Sequence, residues 1–201
     1  MRVVAVAGEP AAGKTSIVRA ALARLDRPLP PVSAIGLVRL HFYGPDLVVV
    51  GDYSPAAGLF AGTDRLSMAV EPQARGLLAH MRGREWAAAT VLIEGDRLTG
   101  LGFLEAVRAL AALRVVVVTA PPEVLAERHR RRGDSQTATF LRGRRTKVER
   151  IRAALPVEVM ENGSGDDLDR NAARLVELLT RPWVEVSPAP VPASLVPLPA
   201  S

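Results

Sequence analysis

The chain has 201 residues, 48% hydrophobic and 23% charged, with a mean hydropathy of +0.15, the make-up of one globular domain. Apolar runs such as Leu47 to Val50 and Val115 to Val118 fall far short of the roughly 20 residues that cross a bilayer. The N-terminus lacks a signal-peptide pattern, and the absence of cysteine excludes disulfides and thiolate metal sites. The expectation is a soluble, cytoplasmic domain with no membrane partner and an oligomeric state that the sequence leaves open.

Met1 to Ala7 predicts a β-branched strand, followed by a Gly-rich turn and a helix from about Gly13 to Leu25. After the breaker-rich Arg27 to Pro31, Leu37 to Phe42 and Leu47 to Val50 flank the turn signal Tyr43-Gly44-Pro45-Asp46, a hairpin pattern. A loop over Gly51 to Asp64 leads to a helix from Pro72 to about Arg82. A buried strand (Thr90 to Ile93), a helix (Gly102 to Leu113), a strand (Arg114 to Thr119) and a helix with proline at its start (Pro122 to Arg132) follow. Phe140 to Ala154 predicts a basic helix, Val157 to Met160 a short strand, and Asp166 to Leu179 a last helix whose acidic opening suits the dipole.

Short apolar strands alternating with helices predict an α/β fold with a mostly parallel sheet and helices on both faces. The domain is expected to span 1–181. The tail 182–201 holds six prolines, one acid and no basic residue, a composition suited to an extended segment.

Gly8-Glu9-Pro10-Ala11-Ala12-Gly13-Lys14-Thr15 satisfies G-x-x-x-x-G-K-[ST] between the first strand and first helix, the context in which a Walker A P-loop works. Its backbone N–H groups, with the helix N-terminus through Ser16, would cradle phosphates of ATP. Lys14 would reach the β- and γ-phosphates, and the Thr15 hydroxyl would ligate Mg²⁺. A base-reading N-K-x-D motif of GTPases is missing, so a small P-loop kinase fits best. Asp52, just past a buried strand, is placed either to accept a proton from an attacking hydroxyl or to cap a turn. Tyr53 stands beside it. Glu94, then Asp96, are the candidate metal acids after the strand Val91-Leu92-Ile93; Asp96 is alternatively a helix cap, and Arg97 is a substrate contact. Asp64 and Arg65 either contact an acceptor or pair with each other. Asn162 and Gly163, after the last strand, either cradle adenine or form a plain turn.

The formal charge of +5 is local. Between Arg128 and Arg152 stand nine arginines and one lysine against two acids, so that this window carries +8 and the remainder −3. Two basic helices around a polar loop, about 128–147, suggest an arginine-rich lid. Arg128 and Arg132, four apart, would stabilise the transferring phosphoryl group, and Arg142 and Arg144 would contact the substrate. The alternatives are a solvated basic face or contacts to nucleic-acid phosphates. His41, His80 and His129 show no metal spacing.

In this order, GEPAAGKT, GDY, GTDRLSMAV, VLIEGDRLTG, RHRRRG and ENGSG resemble small phage-encoded P-loop kinases, and within them the 5-hydroxymethyluracil DNA kinases, over about residues 1–180. That resemblance implies ATP and Mg²⁺ at Lys14 and Thr15 and Asp52 as base toward the hydroxymethyl group of a modified base in DNA. Asp64, Arg65 and Arg97 would line the acceptor site, with Phe42, Tyr43, Tyr53 and Phe60 near enough in sequence to stack an extruded base. A soluble nucleoside or nucleotide kinase is the nearest alternative; a non-catalytic nucleotide- or DNA-binding module is the other.

Overall fold

A computed structural model describes residues 1–83, 85–133 and 136–183. Seven strands form one sheet in the order β2-β3-β4-β5-β1-β6-β7. They are β1 (Arg2–Gly8), β2 (Val32–Ile35), β3 (Val38–Tyr43), β4 (Leu47–Val50), β5 (Thr90–Glu94), β6 (Ala112–Thr119) and β7 (Val157–Glu161). The β4, β5, β1, β6 and β7 strands run parallel, while β2-β3-β4 is an antiparallel meander on one edge. The helices are α1 (Lys14–Ala23), α2 (Val70–Arg82), α3 (Leu101–Leu110), α4 (Pro122–Arg131), α5 (Ala138–Ala154) and α6 (Gly165–Thr180).

The central strands are buried on both faces, so their side chains alternate between two cores. Val3, Ala5 and Ala7 of β1, with Val91 and Ile93 of β5, pack under α2, α3 and α5, where Leu78, Phe103, Leu104 and Ile151 close the layer. Val4, Val6 and Leu92 face α1 and α6, meeting Ile17, Val18, Leu175 and Leu178. A reciprocal Ser164–Asp167 capping box starts α6, satisfying backbone donors that would otherwise be lost.

Strand β2 follows the breaker-rich Arg27 to Pro31, in a stretch where the sequence predicts no element. All four of its residues are exposed, so no apolar alternation marks it in the sequence. Helix α3 ends at Leu110, three residues earlier than its periodicity suggests, because Ala112 and Leu113 pair with Arg2 and Val3 in the sheet. Helix α2 begins at Val70, which places Pro72 in the first turn, where its missing N–H costs no helical bond.

Helix α4 buries no residue, and α5 buries only Val148 and Ile151, both in its C-terminal half. Helix α4 and the N-terminal half of α5 therefore contribute no fully buried side chain to the cores. The tail beyond Trp183 lies outside the described residues; Trp183 itself donates from its indole to Leu178 O at 2.9 Å. Among the described residues no helix is long and apolar enough to cross a membrane. A strand, glycine-bearing loop and helix at the middle one of the five parallel strands, with β5 on one side and β6 on the other, is the P-loop arrangement, and its chain reversal at β1 puts the ligand crevice at the carboxyl ends of these strands.

Candidate active site

The loop from Gly8 to Gly13 leaves β1 and turns into α1. Gly13 precedes the helix with φ of 95°, and a Cβ there would stand 2.2 Å from Asn162 Nδ2, so both conformation and space require glycine. Asn162 follows β7 and donates through that nitrogen to Ala12 O at 2.8 Å. The loop is thus strapped from behind. Ala11 also has a positive φ of 61°, a rare state for alanine that the surrounding bonds hold in place. Asn162 Oδ1 is buried without a hydrogen-bond partner among the described residues. Gly163 N donates to Asp167 Oδ2 at 3.0 Å, in the α6 cap.

Lys14 folds back so that Nζ donates to Gly8 O at 3.0 Å and Glu9 O at 2.9 Å. Burial lowers its pKa, an effect that Glu94, Asp64 and Asp96 partly oppose. Thr15 Oγ1 lies 3.2 Å from Glu94 Oε1. Glu94, the last residue of β5, has no exposure. Burial pushes its carboxyl up to about 7, with Asp64 adding to the rise and Lys14, Thr15 and Tyr53 opposing it. Of the two acids after β5, then, Glu94 is the one beside Thr15. Asp96 turns the other way: Lys147 Nζ donates to its Oδ1 and its carbonyl, each at 2.7 Å, and Arg144 pairs with Oδ2. Arg97 sits against Met68.

The loop after β4 closes over Glu94. Asp52 and Gly62 exchange backbone hydrogen bonds, and Thr63 Oγ1 donates to Glu94 O. Gly62 has φ of 81° and approaches so closely that a Cβ would lie 2.1 Å from Glu94 Oε1 and 3.0 Å from the Tyr53 hydroxyl. That hydroxyl is buried without a hydrogen-bond partner among the described residues, and burial, then the neighbouring Glu94 carboxylate, raise its pKa well above the usual value. Asp52 accepts from Ser54 N at 3.0 Å and Ser54 Oγ at 2.6 Å, with Arg65 Nε 3.9 Å from Oδ2. Burial alone would raise its pKa, but the Ser54 hydrogen bonds and Arg65 outweigh it and hold the carboxylate below the usual range. Asp52 thus occupies a turn-capping geometry beside the site, while exposed Asp64 adds its field to Glu94, Lys14 and Tyr53.

Sequence reasoning misses the roles of three supports, one of them Asn162, which it singles out only for adenine or a turn. Fully buried His41 accepts at Nε2 from Tyr53 N at 3.0 Å, and its Nδ1 lies 2.7 Å from Pro30 O. An accepting Nε2 fixes the neutral Nδ1–H tautomer, so the ring donates to Pro30. Thr63 and the Asn162 strap are the other two. None carries a local signal, since each works only through a partner distant in sequence.

Arg128 Nη1 donates to Ala11 O at 3.3 Å and Ala12 O at 3.2 Å; burial, then Arg132, lower its pKa. Arg132 is exposed. Glu9 faces Arg145 Nε at 3.5 Å. A cavity of about 350 Å³ between Glu9, Pro10, α4 and α5 flanks the loop.

The residues fit the group that a P-loop implies. Curled onto its own loop carbonyls, Lys14 has partners that phosphate oxygens can replace, and the Thr15 hydroxyl with the Glu94 carboxylate is an all-oxygen set suited to Mg²⁺. Among the described residues no group of three or more acids or histidines gathers as a cation cage; Mg²⁺ beside phosphates commonly takes only one or two protein oxygens.

No family model matches the sequence, and no curated protein matches it. Solved structures do. A sugar kinase from Janibacter sp. HTCC2649 is 17% identical, over 90% of this chain and 96% of its own, with a TM-score of 0.49. A gluconokinase from Sinorhizobium meliloti 1021 is 17% identical over 88% and 94%, at 0.46. A shikimate kinase from Acinetobacter baumannii, in complex with shikimate, is 16% identical over 88% and 91%, at 0.47.

Proposed function

We propose that this protein is an ATP-dependent kinase that phosphorylates a hydroxyl group of a small molecule. The observation that carries this reading is the convergence of Lys14, Thr15 and buried Glu94 at the carboxyl ends of β1 and β5, with the Asp52–Arg65 loop on the neighbouring strand. Lys14 would leave the Gly8 and Glu9 carbonyls for the β- and γ-phosphates, while Thr15 and Glu94 would hold Mg²⁺, which when bound neutralises phosphate charge. Arg128, already at the loop, and Arg132 would place guanidinium charge beside the transferring group. The Asp52 carboxylate, ionised and held by Ser54, would orient the acceptor hydroxyl and take its proton. Tyr53, Asp64, Arg65 and Arg97 would be the residues toward the acceptor.

Two observations favour a small acceptor over hydroxymethyluracil in DNA. Base extrusion calls for a stacking surface, yet Phe42 packs on Trp86 with ring centroids 5.1 Å apart, and Tyr43 and Tyr53 belong to the α1–α6 core; the Phe60 side chain lies outside those described. The basic window is also less in need of a polyanion than its +8 suggests, because Arg144 and Lys147 pair with Asp96, Arg145 with Glu9 and Arg130 with Glu127.

The test is labelled ATP with a panel of sugars, hydroxy acids and nucleosides, alongside DNA containing hydroxymethyluracil. Label in a small acceptor is expected, and Asp52→Asn is expected to lower kcat about 100-fold at an unchanged KM for ATP, the scale of losing a general base. Label in DNA alone would restore the DNA reading. ATP binding with no acceptor-dependent turnover would leave a nucleotide-binding module.

A further inference from the structure

Apart from Arg152, the cations of α5 divide into two sets. Arg144, Arg145 and Lys147 each meet an acid of the domain, Asp96 or Glu9. Arg142 and Arg150 have no ion pair among the described residues. Both line an open cleft of about 470 Å³ between α5 and the start of α3, with Thr139, Thr146, Lys147 and Leu101. Spacings of three and four residues from Thr139 through Arg142 and Thr146 to Arg150 put these groups along one stripe of the helix. Among the described residues no carboxylate lines the cleft.

Helix α3 starts at this cleft. Its N-cap is Gly100, which supplies no side-chain cap, and its first turn contains no acid, so free N–H groups and the helix dipole add to the positive potential. The cleft adjoins the candidate active site at two points. Lys147, in its wall, bonds Asp96, two residues past Glu94. Arg142 also lines the cavity that contains Glu9 and Pro10 of the P-loop. Its volume lies within the range of about 300–1,000 Å³ common for small-molecule sites, and its polar groups are guanidinium, ammonium and hydroxyl donors, the set that binds oxyanions.

We propose that this cleft between α3 and α5 binds the anionic group, a carboxylate or phosphate, of the small acceptor, with Arg142 and Arg150 as its principal contacts; as an acceptor subsite it rests on the kinase reading above. The substrate class is then a hydroxylated acid or a phosphorylated alcohol. A neutral polyol would leave both arginines without a counter-charge.

The experiment uses the full chain. Inorganic phosphate, malonate and, as a neutral control, glycerol are titrated in 0.15 M salt while the Nε–Hε signals of Arg142 and Arg150 are followed by NMR. The backbone signals of Gly13 and Thr15 report separately on phosphate at the P-loop. Saturable, joint shifts of Arg142 and Arg150 with both anions and not with glycerol are expected. The double variant Arg142→Gln/Arg150→Gln should weaken binding at the cleft at least about 10-fold without moving the P-loop response. Gly143→Leu gives a second arm: nothing lies within 4 Å of its missing Cβ, so leucine fills the cleft without changing charge, and at least about a 10-fold loss is expected again. Phosphate shifts confined to the P-loop, or anion binding that survives both variants, would overturn the proposal. A DNA duplex that moves the two arginine signals at lower concentration than phosphate would overturn it in favour of a polyanion surface. With an acidic acceptor from the labelled-ATP panel, the double variant should raise its KM at least about 10-fold and leave that of ATP within twofold; an unchanged KM overturns the acceptor assignment even where phosphate binds. Saturable anion binding without turnover on any acceptor would uphold the anion site and reject the kinase reading.

Discussion

The Lys14–Glu94 pocket and the α4–α5 arm both carry charge, and they bear it differently. Glu94 has no exposure, and Lys14, Thr15, Thr63 and Gly62 enclose it. Burial there pushes the acid toward its neutral form and lowers the pKa of the lysine, so the pocket stays charged only at a cost that a bound phosphate and cation would offset. The arm buries nothing along α4 and little along α5. Its ion pairs are screened by water, and each contributes roughly 0–1 kcal/mol. Many charges in the arm thus matter less to stability than a few in the pocket, and single substitutions should separate the two regions sharply.

The largest effect belongs to Lys14→Ala. It removes the cation that the proposed reading assigns to the β- and γ-phosphates, and acceptor-dependent turnover should fall by at least about 100-fold. Stability should change little or rise, since a partly buried ammonium and its desolvation go together; urea unfolding checks the second half. Next is Gly62→Ala. The new Cβ would collide with Glu94 Oε1, 2.1 Å away, in a backbone with φ of 81°. A loss of about 1–3 kcal/mol is expected, with lower turnover because the Glu94 carboxylate must move.

Glu94→Gln tests the pocket through pH. The native carboxyl titrates at about 7 against an ordinary value of 4.5, so between these limits the folded protein holds a proton that the unfolded chain has released. Stability from this group is therefore present below about pH 4.5 and is lost as pH rises to about 7. Metal-free protein in EDTA should be less stable at pH 8 than at pH 5 by about 1–3 kcal/mol from this source, and Glu94→Gln should flatten that slope. An equal slope in the variant would place the titration elsewhere. Asp52, Asp46 and Asp167 have pKa values shifted downward, so their contributions are lost only in more acidic solution.

The same contrast governs what the sequence displays. The P-loop is contiguous, and its strand, glycines, lysine and hydroxyl are visible in eight residues; the alternation of apolar runs likewise displays the parallel sheet. Which acid faces Thr15 is not visible, because Glu94 and Asp96 are separated by one residue and sorted by partners elsewhere: Thr15 for one, Arg144 and Lys147 for the other. Nor is it visible that Arg145 meets Glu9 or that His41 holds the Tyr53 amide. Strand β2 escapes because it is an exposed edge with no buried face to impose a period. The clustered arginines suggest a single anion-binding lid, whereas tertiary pairing divides them among domain acids, loop carbonyls and an open cleft.

The smallest expected effect completes the comparison. Arg130 pairs with Glu127 one turn back on α4, with side chains 72% and 50% exposed. Helix pairs of this kind contribute about 0.2–0.5 kcal/mol. Arg128, two residues earlier, instead reaches the Ala11 and Ala12 carbonyls of the P-loop. Arg130→Gln should therefore shift the urea-unfolding free energy by no more than about 0.5 kcal/mol and leave turnover within twofold, whereas Arg128→Gln should lower turnover by at least about 10-fold, a guanidinium at the phosphates being worth more than one in water. Equal effects from the two would mean that α4 acts through its total charge and not through the one arginine that touches the loop. That outcome would erase the distinction between pocket and arm, because the field of the window, and not the position of a single guanidinium, would then govern catalysis.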